Sequence, residues 1–235
     1  MELPHQALGY DRAITIFAPD GRILQVEYAK QAVKLGSTAI GISLKDSVII
    51  IADKRITSKL IVPSSVEKIQ IIDDHIIATF SGYISDGRVL MERAQAIAQR
   101  HRIEYGTPID LKLLAKEISD IMQIYTQYGG LRPFGVSLIF AGVDNGKTKL
   151  YVIEPSGVFY QYFATVVGEA ESKILPIFEK EYRYDMNFEE GLKLGLKSLK
   201  NALGKEFDIN RIDVAYIKVG QKPVFMKKEE IEKYL

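Results

Sequence analysis

The chain has 235 residues, of which 47% are hydrophobic and 26% charged, the balance of an ordinary globular domain and not of a disordered one. Lys and Arg number 31 against 30 Asp and Glu, so a formal charge of +1 gives no electrostatic reason to expect nucleic acid or a membrane as partner. There is no cysteine, which excludes disulfides, thiolate nucleophiles and cysteine-based zinc sites.

Residues 1–11 lack periodicity and are expected to form a mobile arm, and the start MELPHQALGY does not read as a secretory signal. The longest apolar run, Val48–Ala52, is too short to cross a bilayer. A soluble, cytoplasmic protein is the expectation. Pro19-Asp20-Gly21 signals a turn, and Leu24, Tyr28, Ala32 and Leu35 then recur at helical spacing, predicting a helix over about Arg22–Lys34. Strand signals follow in pairs: Thr38–Leu44 with Ser47–Asp53 around Lys45-Asp46, and Lys68–Ile72 with Ile76–Ser81 around Asp73-Asp74-His75. Val48–Ile51 is apolar at every position, so this strand should be covered on both faces.

Two helices come next. The first carries Leu90, Ala94, Ile97 and Ala98 on one face. The second is expected to open with Thr107 as N-cap and Pro108 at the first helical position, with Leu111, Leu114, Ile118, Ile121 and Tyr125 on its buried face. Strands resume at Val136–Gly142 and Lys149–Glu154 through the hairpin dipeptide Asn145-Gly146, and Val158–Val167 holds one or two more. A helix over about Glu169–Tyr182 contains Pro176. Another starts at Asn187, with Glu190 completing a capping box and Phe188, Leu192, Leu196, Leu199 and Leu203 as its stripe. Ile212–Val219 is a late strand and Lys227–Tyr234 a short terminal helix.

Short loops between consecutive strands imply antiparallel pairing, and strands buried on both faces need two covering layers. The expectation is an α/β (α+β) fold: a four-layer αββα sandwich of two antiparallel sheets flanked by helix pairs. No linker divides the sequence. Residues 1–35 are read as an N-terminal arm and helical extension, residues 36–235 as the sandwich.

Several segments resemble the α-type subunits of the 20S proteasome. They are Tyr10-Asp11, Ile14–Phe17, Pro19-Asp20-Gly21-Arg22 and Gln25-Val26-Glu27-Tyr28-Ala29, followed by Gly36–Gly41, Glu67-Lys68-Ile69, Tyr125–Gly130 and Arg132–Val136. The resemblance covers nearly the whole chain and is nearest to the archaeal type. It implies the fold of N-terminal-nucleophile hydrolases and a non-catalytic role. Seven copies would form an outer ring on a ring of β subunits, where peptide bonds are cut. Residues Lys68, Gly36, Gly82 and Tyr83 would line a pocket between neighbouring subunits, where the lysine takes the C-terminal carboxylate of a regulatory AAA ATPase or other activator. Tyr10, Asp11, Pro19 and Tyr28 would hold the N-terminal arm in the open form of a gate, and Tyr128, Gly129 and Gly130 would border the entrance through which unfolded polypeptide passes.

The β subunits of that family use an N-terminal threonine whose own α-amine is the base. The corresponding position here is about Ser37, preceded by Gly36 and 36 residues from the start, with Thr38 one place late. The supporting Asp and Ser of the β pattern are replaced by about Lys205 and Asp208. Asp53 and Lys68 match positions of the β site, and Asp53 reads as an inherited fold residue. An active hydrolase processed near Ser37 stays open as the alternative. There is no P-loop, dinucleotide fingerprint or GxSxG elbow; His5, His75 and His101 are scattered, and no cofactor or metal site is expected.

Overall fold

The computed structural model describes residues 15–56, 58 and 60–235. The expected arm, with Tyr10 and Asp11, lies outside the described residues. The chain enters through a turn in which the Ala18 carbonyl accepts from Gly21 N–H and Asp20 holds the Arg22 guanidinium at 2.6 Å. Helix α1 (Leu24–Leu35) follows, close to its predicted span.

One sheet contains β1 (Ala39–Ser43), β2 (Ser47–Asp53), β8 (Ala164–Val167), β9 (Ile212–Lys218) and β10 (Val224–Phe225), in the order β10-β9-β2-β1-β8. The other contains β3 (Ile69–Asp73), β4 (Ile76–Gly82), β5 (Val136–Asp144), β6 (Lys147–Ile153) and β7 (Phe159–Gln161), in chain order. Every pairing among these strands is antiparallel. The hairpin at Asn145-Gly146 has both residues at positive φ, 50° and 73°, the geometry a two-residue turn between twisted strands requires.

Helices α2 (Ile84–Tyr105) and α3 (Leu111–Ile124) cover the β3–β7 sheet. Helices α4 (Glu171–Glu181) and α5 (Phe188–Leu203) cover the other, with the short α6 (Lys228–Glu232) beside them. Three apolar layers result. Leu90, Met91, Leu114 and Ile118 pack on Phe140 and Leu138; Ile174, Leu192 and Leu196 pack on Ile40, Ile42 and Ile49; and Val48, Ile50, Ile139 and Leu150 fill the space between the sheets. β2 is buried at all of its positions, as its uninterrupted apolar run demands. Each such side chain contributes about 1.5–3 kcal/mol by leaving water. The architecture is the expected four-layer sandwich.

One local expectation needs correction, and two features had no expectation in the sequence. The N-cap of α3 is Asp110, whose carboxylate accepts from the backbone N–H of Lys112 at 2.7 Å and of Leu113 at 3.2 Å, so Thr107 and Pro108 lie in the connection. Asp outranks Thr at this position because its ionised oxygen also faces the positive end of the helix dipole. The segment after β6 belongs to two sheets. Tyr162 N–H donates to Leu150 of β6, Phe163 carbonyl accepts from Ser43 of β1, and the chain crosses between layers there. Nothing in a continuous run of aromatic and β-branched residues marks such a crossing. The edge strand β10 is two residues long, too short to carry a sequence pattern. The capping box at Asn187 and Glu190 forms as expected.

Replacing Asp110 by alanine should therefore lower the unfolding free energy by about 1 kcal/mol or more, whereas Thr107→Ala should change it by less than about 0.5 kcal/mol. Urea unfolding of the two variants checks the assignment.

Candidate functional site

The site forms where α1 gives way to β1. Val33 carbonyl accepts from Gly36 N–H, ending the helix, and the chain turns directly into the sheet. This junction is held against the end of β4 by close backbone approach. A Cβ on Gly36 would collide with the Gly82 amide nitrogen, and one on Gly82 would collide with the Gly135 carbonyl. Gly82 also has φ +121°, a conformation side chains resist. Close contact thus fixes both glycines, and conformation fixes Gly82 as well.

Lys68 lies one residue before β3 and is only 4% exposed, far from the ordinary surface lysine its charge suggests. Its Nζ donates to Ser37 carbonyl and Ser37 Oγ, both at 2.6 Å, to Asp53 carbonyl at 2.8 Å, and approaches Thr38 carbonyl at 3.2 Å. One amine thus joins the ends of β1, β2 and β3. Burial drives its pKa down to about 7, against Asp53, which favours the charged form, and with Arg55 and Arg211, which oppose it. Beside it opens a cavity of about 240 Å³, lined among others by Ser37, Val66, Lys68, Phe80, Gly82, Ile84 and Arg88.

Asp53 is engaged by a different partner. Its two oxygens take the Arg211 guanidinium at 2.9 and 2.7 Å, and Oδ1 accepts Arg55 N–H at 3.0 Å. This bidentate ion pair is buried and fits the reading of Asp53 as a fold residue. Arg55 reaches back to Leu35 carbonyl at 3.2 Å and pairs with Glu169, whose N–H donates to Gly36 carbonyl. Thr38 is fully buried, and its Oγ1 accepts from Ala170 N–H. Asp208 caps its own short turn through Asn210, and Lys205 sits in the turn before it.

The remaining expected residues do not join this cluster. Tyr83 follows Gly82, but its ring packs over Gly135 with Arg132 5.8 Å from the centroid, and it is 58% exposed. Arg132 forks onto Asp86 at 2.6 and 2.8 Å, and Gly135 N–H donates to the same carboxylate. Burial works against the charge, but these donors hold the Asp86 carboxyl below the usual range. Pro19 lies in the turn before α1, and Tyr28 is a half-exposed residue on that helix. Tyr128, Gly129 and Gly130 form an exposed turn after α3; the helix already ends at Tyr125, and Gly130 takes φ +84°. Sequence reasoning missed Arg55, Arg211 and Ser81, whose hydroxyl also bonds Ser37 carbonyl at 2.9 Å. All three act across long sequence separations. No group of three or more His, Cys, Asp or Glu able to hold a metal occurs among the described residues, and no helix among them is long and apolar enough to cross a membrane.

A family model for proteasome subunits matches residues 33–217, and a second, for the N-terminal signature of the α-type proteasome subunits, matches residues 10–32. The chain belongs to the proteasome α-subunit family. One relative, named as the alpha subunit of the proteasome of Archaeoglobus fulgidus, is 49% identical over 100% of this chain and 95% of its own length. Those of Thermococcus kodakarensis (48% identical; 99% and 89%) and Methanosarcina barkeri (46%; 97% and 92%) are similar over nearly their whole lengths as well. In this α-type chain the N-terminal signature runs into α1, and α1 ends at the lysine-centred junction.

The buried lysine makes a prediction in pH. Its folded pKa lies below the unfolded value of about 10.4, so the unfolded chain binds more protons between the two. Its contribution to stability should be complete above about pH 10.4 and fall away as pH drops toward 7. The melting temperature of the wild type relative to Lys68→Met should accordingly rise between pH 7 and 10. A constant difference would refute the assigned shift.

Proposed function

We propose that this chain is a non-catalytic ring and gate subunit of a 20S proteasome core. Seven copies form the outer ring, each using two different patches that meet around a closed circle. The ring sits on proteasome β subunits, admits unfolded polypeptide to their chamber, and receives the C-termini of a regulatory AAA ATPase or another activator. The setting is the cytoplasm. Residues 1–35 serve as gate arm and helical extension on the sandwich of residues 36–235.

The observation that carries the reading is Ser37 at the α1–β1 junction. A nucleophile of this fold's β type needs its own free amine. Here that nitrogen is an amide, preceded by a helix whose Val26, Ala29 and Val33 are buried. Clearing it would strip a packed element from the sandwich. The docking role rests on the cavity beside Lys68. An incoming carboxylate would meet Lys68 and Arg88, with Phe80, Val66 and Ile84 as apolar walls for the residues before it. Tyr83 contributes at the rim if the neighbouring subunit closes over it. The gate role rests on Tyr10, Asp11, Pro19 and Tyr28, and the entrance role on the exposed turn Tyr128-Gly129-Gly130.

The second reading is a hydrolase matured by cleavage before Ser37. The short contact between Ser37 Oγ and Lys68 Nζ favours it, and the packing of α1 opposes it. The intact mass of the chain purified from its complex separates the two, since a mature chain that begins at Ser37 or Thr38 is required for the hydrolase.

Lys68→Ala should leave ring assembly intact while abolishing stimulation of peptide hydrolysis in the assembled particle by activators that dock through their C-termini. Because the pockets act together by avidity, losing all of them should cost at least about 100-fold in apparent affinity. Stimulation at the wild-type level would remove the lysine from the docking site. Deleting residues 2–11 should raise basal hydrolysis of peptides with no activator present; an unchanged basal rate would remove the arm from the gate.

A further inference from the structure

We propose that His75 is a proton-operated clamp between the β3–β4 turn and the α2–α3 connection. A proton taken up at Nδ1 fastens the ring to the Asp73 carboxylate, and its loss leaves the two groups facing each other unbonded.

The first ground is a count of donors. His75 Nε2 lies 2.9 Å from the Ile109 carbonyl oxygen, which can only accept, so Nε2 carries a hydrogen. A neutral ring then has a bare lone pair at Nδ1. That nitrogen faces Asp73 Oδ2 at 3.6 Å, another acceptor and too distant for a hydrogen bond. Both atoms are buried and, among the described residues, they are the buried side-chain polar atoms without a hydrogen-bond partner. Asp73 Oδ1, by contrast, takes the Arg102 guanidinium at 2.6 Å and Asp74 N–H at 2.8 Å. Two lone pairs shut in against each other are unfavourable, and one proton on Nδ1 serves both at once. A small turn of the ring brings the N–H and the carboxylate to hydrogen-bond distance.

The second ground is charge balance. The acids on the elements packed around the ring are Asp73 on β3, Asp74 in the turn, Asp110 at the start of α3 and Asp144 at the end of β5. Arg102 of α2 pairs with Asp73, Lys222 from the turn after β9 pairs with Asp74, and Lys149 of β6 pairs with both Asp110 and Asp144. Four carboxylates thus meet three cations, and an imidazolium supplies the missing positive charge. His101 of α2 is engaged elsewhere, its Nδ1 lying 3.1 Å from the Thr107 carbonyl.

The third ground is what the ring joins. The His75 carbonyl accepts Val143 N–H at 3.1 Å, so its backbone is tied to β5. Ile109 is 1% exposed and directly precedes the α3 cap Asp110. The protonated ring therefore links the connection to Asp73, and through Arg102 to the last turn of α2, where Ile103 and Tyr105 are exposed. β4 runs from Ile76 beside the clamp to Gly82 at the α1 junction, so the clamp lies at the opposite end of the sheet from the lysine site. It depends on neither functional reading above.

The bond forms only with the protonated ring. Its contribution to stability is full well below about pH 6.5, the ordinary imidazole value in an unfolded chain, and is lost as the folded ring gives up its proton at higher pH.

The test compares the full-length chain, in the assembly it forms, with His75→Gln, which keeps a donor for the Ile109 carbonyl but presents no nitrogen at the Nδ1 position. The wild-type advantage in melting temperature should be at least about 2 °C larger at pH 5.5 than at pH 8.5. Lys68 is present in both chains, so its titration cancels from the difference. In an Asp73→Asn background the amide can donate to the neutral ring, and the same comparison should lose or reverse its pH dependence. Amide hydrogen exchange, corrected for the intrinsic rate, should show residues 105–111 at least about threefold better protected at pH 5.5 than at pH 8.5 in the wild type, with no such change in His75→Gln. This local measurement decides the matter should Asp73→Asn not fold. A melting difference equal at both pH values, one that persists unchanged with Asp73→Asn, or protection of 105–111 that ignores pH overturns the proposal.

Discussion

The buried amine of Lys68 is the contact on which the rest of the site depends. Its position before β3 brings it to the carbonyls of Ser37, Thr38 and Asp53, the places where β1 begins and β2 ends. The Thr38 carbonyl also accepts from Asp53 N–H and the Ser37 carbonyl from the Ser81 hydroxyl, both at 2.9 Å, so the amine adds to bonds that already tie these strand ends. The junction also receives α1, so the lysine holds the base of the helix that carries the N-terminal signature.

Around that centre the chain arranges its charges in pairs. Asp53 and Arg211 neutralise each other beside the lysine, and Arg55 spans from Asp53 to Leu35 and Glu169. The glycines complete the arrangement by removing side chains where backbones touch, at Gly36 against Gly82 and at Gly82 against Gly135. The serine, lysine and aspartate at this junction are preceded by a packed helix. The same helix that denies Ser37 a free amine leads back to the segment proposed to control passage through the ring.

What could be read in the sequence was local. The hairpin at Asn145-Gly146 and the capping box at Asn187 depend on residues within four positions, and both appear as expected. The stripes of α2, α3 and α5 and the continuous run of β2 likewise announce burial through their own spacing. The crossing at Tyr162–Phe163 depends on partners in two sheets, Leu150 and Ser43, and so had no local signature. Asp110 displaced Thr107 as cap because competition among capping residues is decided by where the helix actually starts. In the site, Gly36, Gly82 and Lys68 were legible through family motifs, yet the burial of Lys68 was not, because its acceptors lie 15 to 31 residues away. Arg211 pairs with Asp53 across 158 residues and could not have been found from spacing.

On this reading the chain builds a ring and leaves cutting to a partner. The most direct measurement is native mass spectrometry of the chain alone and co-produced with a cognate β subunit, with peptidase activity recorded on each species. Seven-membered rings of the chain alone without activity, and a larger particle with activity once β is present, are the predicted result. A monomer that hydrolyses peptides by itself, or a chain that does not associate with β, would contradict the account.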